Sequence, residues 1–227
     1  MNRSTKSKIF TGFKTEEQLV EVVLSFIKKS AGSGYKAELE LDGGVGIADI
    51  VLYKRHPRTT RELRKLASVP PRLAPLLDPL TAAYISTCDD LASSLGLSSS
   101  AALRLIKQLQ RLGLWTAHPS KSALASVRVP PFQTIVAIEA KLADWSRALG
   151  QAYRNLQFAD ESWVVLDHRF HRPAVAQLER FIRSGVGLVS MDLNGDLYVH
   201  HRATTTPAMS LTKRWHAQAA LARRVAK

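Results

Sequence analysis

The chain has 227 residues, a formal net charge of +13 and one cysteine, Cys88. That length accommodates one sizeable domain with a smaller one added, and a single cysteine excludes an internal disulfide or a cysteine-rich zinc site. The excess of Lys and Arg points to a polyanion such as DNA, held by contacts that weaken with salt. No run is long enough to cross a bilayer, and the opening MNRSTKSK is not followed by a signal-like apolar stretch, so a cytoplasmic protein with no membrane partner is expected.

In chain order, TEEQLVEVVLSFIKK reads as a first helix and YKAELELDGGVGIADIVLY as a hairpin whose second run carries Asp49. Proline-rich VPPRLAP and RVPPF then bracket a long insertion, since prolines at both borders act as domain punctuation. Inside it, a short helix from Asp90 to Leu95, a turn at Gly96 and a second helix from Ala101 to Leu112 are predicted, with Ser98 to Ser100 as caps. A β pair, Leu114 to Ala117 with Ala123 to Val129, should follow, with His118 and Lys121 at its tip. The run Thr134 to Ile138 is apolar and β-branched, as a buried strand should be, and it leads into Glu139, Ala140 and Lys141. The segment DWSRALGQAYRNLQFADESWVVL continues as helix then strand. A late hairpin in GVGLVSMDLNGDLYVHH is expected around a two-residue Asn194-Gly195 turn.

Chemistry concentrates at the ends of the two central apolar runs. Residues i and i+2 of a strand share a face, so Glu139 and Lys141 project together while Ala140 turns away and leaves its carbonyl accessible. Two carboxylates and an amine suit a divalent metal held against a phosphate. A structural Lys–Glu pair at a strand end has the same local sequence, so the triplet alone does not decide. With Asp49 ahead and a helix bearing Gln151 behind, the pattern resembles the PD-(D/E)XK nuclease superfamily, in its RecB-like and Holliday-junction-resolvase-like branches. The resemblance covers most of the chain outside roughly 58–130, and it departs from the family pattern in having Ala48 before Asp49.

That resemblance implies a restriction-endonuclease-like α/β fold, a mixed sheet flanked by helices. Asp49, Glu139 and the Ala140 carbonyl would hold Mg²⁺, with Mn²⁺ as the alternative, while Lys141 orients or deprotonates water or stabilises developing charge. Gln151 would position water, metal ligand or phosphate. An acid from the first helix belongs to the pattern; Glu17 is taken as the candidate, with Glu16 and Glu21 open. Tyr153 is expected in the core, because helix residues two apart do not share a face.

The insertion resembles the winged-helix DNA-binding domains of bacterial regulators. Leu103, Ile106, Leu109 and Leu112 would pack inward, and Arg104, Lys107, Gln108 and Arg111 would face a major groove. Residues 1–57 and 131–227 would thus form a discontinuous nuclease-like domain around a winged helix at 58–130. The expected function is metal-dependent hydrolysis of DNA phosphodiesters, by a homodimer or within a larger defence or repair assembly. The alternatives are a non-catalytic DNA-binding transcriptional regulator on a nuclease-like body and a small helical bundle used for protein contacts. Lys213, Arg214, Arg223 and Arg224 make the last segment basic, with an apolar face suggested only by Trp215 and Leu221. His168 and His171 read as solvent or phosphate contacts, and the adjacent His200 and His201 should point to opposite faces.

Overall fold

Apolar, β-branched runs build the centre of the molecule, because such side chains fit a pleated surface covered on both sides. The computed structural model describes residues 12–30, 34–116 and 124–226, and among them six strands form one sheet. They are β1 (Lys36–Asp42), β2 (Ile47–Arg55), β3 (Phe132–Lys141), β4 (Glu161–Asp167), β5 (Gly187–Met191) and β6 (Leu197–His201), side by side in that order. The β3–β4 and β4–β5 pairs are parallel and the others antiparallel. Parallel neighbours need a crossover, and helices supply it here. The chain is therefore α/β, with a mixed open sheet flanked by helices.

Helix α1 (Glu16–Ser30) lays Leu19 and Val23 against Ile50, Val136, Ile138, Val165 and Met191 on one face of the sheet. Between β2 and β3 come α2 (Thr60–Ser68), a 3-10 turn (Pro71–Leu77), α3 (Pro79–Ala83), α4 (Cys88–Leu95) and α5 (Ser99–Arg111). After β3 follow α6 (Trp145–Asn155), α7 (Arg172–Val175), α8 (Leu178–Ser184) and α9 (Leu211–Val225). On the second face, α6 and α8 bury Ala148, Ala152 and Phe181 against Val164, Leu166 and Leu188. Tyr153 departs from expectation: it points outward and is 49% exposed, because the small Ala148 and Ala152 form the face that meets the sheet.

The insertion is tied to the sheet. Leu63, Leu66, Val69 and Leu77 share one apolar cluster with Val51, Tyr53 and Ile135 of the sheet and with α9. Trp215 and Leu221 alone suggested a narrow face for α9; Ala217, Ala219 and Ala222 widen it into a core helix, all fully buried. Burying a side chain such as Leu221 contributes about 1.5–3 kcal/mol. Polar bonds fix the helix in place: Trp215 Nε1 donates to Asp78 Oδ1 at 3.1 Å, and Gln218 bonds both the N–H and the carbonyl of Phe132, at 3.1 and 2.7 Å.

Within the insertion, Thr87 and Asp90 form a reciprocal capping box on α4, and Ser98 caps α5 by accepting from Ala101 N–H. The buried stripe of α5 is Ala102, Ile106 and Leu109, with Leu105 and Leu112 partly covered. Leu103, expected inside, is 52% exposed, since the stripe at helical spacing runs through position 102 instead. Beyond α5 a bridge joins Trp115 to Leu124, and Ala125 N–H donates to the Leu114 carbonyl at 2.8 Å. The expected tip with His118 and Lys121 lies outside the described residues. The β5–β6 link uses five residues rather than a two-residue turn: Asp192 accepts from Asn194 and Asp196 N–H through its side chain and from Gly195 N–H through its carbonyl. Gly195 takes φ +82° there, a conformation that suits glycine. No helix among the described residues is long and apolar enough to cross a membrane.

Candidate functional site

Two adjacent strands, β2 and β3, deliver the central residues. Ile50 pairs with Ile138, so the next positions along the β2–β3 ladder, Asp49 and Glu139, stand opposite each other. Asp49 Oδ2 accepts from the Ala140 backbone N–H at 2.8 Å and from Lys141 Nζ at 2.9 Å. Lys141 Nζ also donates to the Ala140 carbonyl at 3.1 Å and lies 3.3 Å from Glu16 Oε2. Burial pulls the Lys141 ammonium down, but Asp49, Glu16 and Glu139 outweigh it and hold its pKa above the ordinary value, so the amine is a cation at neutral pH.

The first-helix acid that reaches the trio is therefore Glu16. Glu17, the residue favoured by sequence, lines the same groove but hydrogen-bonds its own backbone and Thr15, which lower its pKa. Glu21 lines the groove as well. On the β1 side stands Glu40, which sequence gave no reason to single out. It falls between the paired positions Leu39–Ile50 and Leu41–Ala48, with φ +50°. A left-handed conformation costs a non-glycine residue about 1–2 kcal/mol. Arg224 holds it there by donating to the carbonyls of Leu39 and Glu40. The groove thus gathers the carboxylates of Glu16, Glu17, Glu21, Glu40 and Asp49 inside a strongly basic chain.

Glu139 sits deeper, only 1% exposed. Its Oε1 accepts from Asn155 Nδ2 at 2.7 Å, while Oε2 is buried with no hydrogen-bond partner. Burial first, then repulsion from Asp49, pushes its pKa up from 4.5 to about 7, with Asn155 and Lys141 opposing the rise. Asn155 was not legible as a site residue in sequence, although its place one helical turn after Gln151 puts both on the face of α6 that meets β3. Gln151 does not bond the trio; its Oε1 is buried without a partner.

An orphaned carboxylate oxygen beside a second carboxylate is what a divalent cation would satisfy, because hard cations take oxygen ligands. Among the described residues no three His, Cys, Asp or Glu side chains converge as a metal cage. An ion here would rest on Asp49, Glu139, the Ala140 carbonyl and water, a sparse set that suits Mg²⁺, which keeps much of its hydration. The residues present fit such an ion.

The candidate DNA-facing residues are elsewhere. Arg104, Lys107 and Arg111 are exposed along α5, Gln108 is half-buried, and Lys121 lies outside the described residues. The insertion departs after Arg55 and returns at Phe132, where His56 N–H donates to the Pro131 carbonyl at 2.7 Å. That is the end of β2 opposite to Asp49, roughly 20 Å away at ~3.4 Å per residue. Comparison with family models, with curated proteins and with solved structures returned no match for this chain.

Proposed function

We propose that this chain is a metal-dependent deoxyribonuclease of the PD-(D/E)XK type, with residues 58–130 acting as a winged helix that holds duplex DNA. The observation that carries the reading is Glu139 Oε2, buried and unpartnered opposite Asp49, with Lys141 joined to Asp49 on the same strand ends. A bound Mg²⁺, or Mn²⁺, supplies Lewis acidity toward a phosphoryl oxygen and a water of lowered pKa.

The protein's own groups would do the rest. Asp49 and Glu139 offer oxygen ligands; Asn155 fixes the rotamer of Glu139 through Oε1 and leaves Oε2 without a partner. Lys141, cationic at neutral pH, donates to an attacking water or to charge that builds on the phosphate, since it keeps its proton in the company of three carboxylates. Glu16 and Asp49 hold that ammonium in place.

The test is incubation of the full chain with supercoiled, linear, branched and single-stranded DNA in Mg²⁺, Mn²⁺ or EDTA, beside Asp49→Ala and Lys141→Ala. Metal-dependent cleavage reduced at least 100-fold by either substitution supports the proposal. DNA binding that all three proteins share, with no cutting by wild type, supports instead a DNA-binding regulator on an inert nuclease-like body.

A further inference from the structure

Outside the carboxylate site, four rings stack into a column at the same end of the sheet's strands. Tyr198 lies on His168 with centroids 4.1 Å apart, His168 on His171 at 4.4 Å, and His171 on His200 at 4.9 Å. Ser190, fully buried, ties the column to β5: its hydroxyl bonds His168 Nδ1 at 2.9 Å and His200 Nε2 at 2.8 Å. His171 is anchored in turn by its Nδ1 on the His168 carbonyl. Burial first, and then the neighbouring histidine, keep His168 and His200 below the ordinary imidazole pKa.

Register places this column beside the candidate site. Lys141 pairs with Leu166, Leu166 with Ser190, and Ser190 with Tyr198, so these side chains share one face and one level of the sheet. Ser190 is two strands from Lys141, roughly 10 Å at ~4.8 Å per strand, or about three nucleotide rises of ~3.4 Å. Tyr198 ends the column on the edge strand β6 and is 39% exposed. Arg172 lies close enough to bear on the charge of His168. Phe170, 40% exposed, adds a further ring with Arg169 stacked on it at 4.9 Å.

We propose that this column is a stacking platform for an unpaired nucleobase, so that the substrate carries a single-stranded segment next to the scissile phosphate. The inference rests on the nucleic-acid reading above and narrows it. Rings with an open end beside arginines are the combination that holds single strands without sequence preference: bases stack on the π-faces and cations follow the backbone. The column is pre-built. Its rings are fixed by Ser190 and by one another, so little ordering is needed when a base arrives. Asp192, whose Oδ2 lies 3.5 Å from Tyr198 Oη, steadies the ring and leaves the phosphates to the Arg172 side.

The experiment measures binding in EDTA, so that no probe is cut. The full chain is titrated into a fluorescent blunt duplex, the same duplex with an unpaired oligothymidine tail, and a duplex whose tail is abasic. Wild type is expected to favour the thymidine tail over both others. Tyr198→Ala should weaken that probe by about 5- to 160-fold and leave the blunt duplex unchanged, from a stacking contribution of about 1–3 kcal/mol per base; Tyr198→Phe should retain wild-type affinity. Equal affinity of wild type for the thymidine and abasic tails overturns the proposal, as does an equal loss on blunt and tailed probes in Tyr198→Ala. Tail preference without any cleavage in Mg²⁺ overturns the nuclease reading alone, whereas cleavage without tail preference overturns the platform alone.

Discussion

At the scale of single residues, Glu139 links stability to pH. Its folded pKa of about 7 stands above the ordinary 4.5, so the folded protein binds this proton more tightly than the unfolded chain does. The associated stability is fully present below pH 4.5 and is lost as pH rises through about 7. In EDTA, wild type should lose up to about 3 kcal/mol through this group between those limits. Glu139→Gln should lack that loss, and the difference between the two proteins in urea melts isolates Glu139 from His168, His200 and His216, whose pKa values burial lowers. Mg²⁺ should flatten the wild-type curve, and a wild-type curve parallel to that of Glu139→Gln would refute the assignment. That Glu139 and Lys141 share a face was legible because a strand repeats every two residues. Asn155 was not, because a helical Asn carries no mark of what faces it, and the left-handed turn at Glu40 has no signature in residue type.

At the scale of elements, strands were easier to read than helices. β3 was legible because Thr134 to Ile138 are β-branched or apolar, and seven consecutive positions from Ile135 to Lys141 are indeed buried. Helix faces built from alanine were not: on α9 and α6 small side chains make the contact, and hydrophobic bulk marks the wrong residues. The same effect put Leu103 outside and Ala102 inside on α5. For α9, Gln218 is the sensitive point, since its amide serves both backbone groups of Phe132 in a fully buried position. Gln218→Ala should cost about 1–3 kcal/mol for each group left unpaired. Urea denaturation should show this as a lower midpoint with unchanged slope, whereas an unchanged midpoint would mean that water replaces the amide.

At the scale of the whole molecule, the two sequence-predicted functions are held at opposite ends of β2 and β3. The carboxylate site takes one end and the insertion leaves from the other, a separation that single motifs did not reveal. On the proposed reading, substituting both Arg104 and Lys107 by Ala lowers the log–log salt slope of duplex binding by about two, since each phosphate contact contributes ~0.9. Thermal stability should be unchanged, because both side chains are exposed; an unaltered slope would assign the α5 face to protein contacts. The bonds made by α9 carry a kinetic consequence. Arg224 reaches back 184 residues to Glu40, Trp215 reaches 137 to Asp78, and Gln218 reaches 86 to Phe132. Contacts so distant in sequence form late, because loop-closure entropy comes due before they contribute. Until α9 docks, α2 and the 3-10 turn at Pro71–Leu77 lack the helix they pack against, so the refolding chain passes through a stage with an open apolar flank that is prone to self-association.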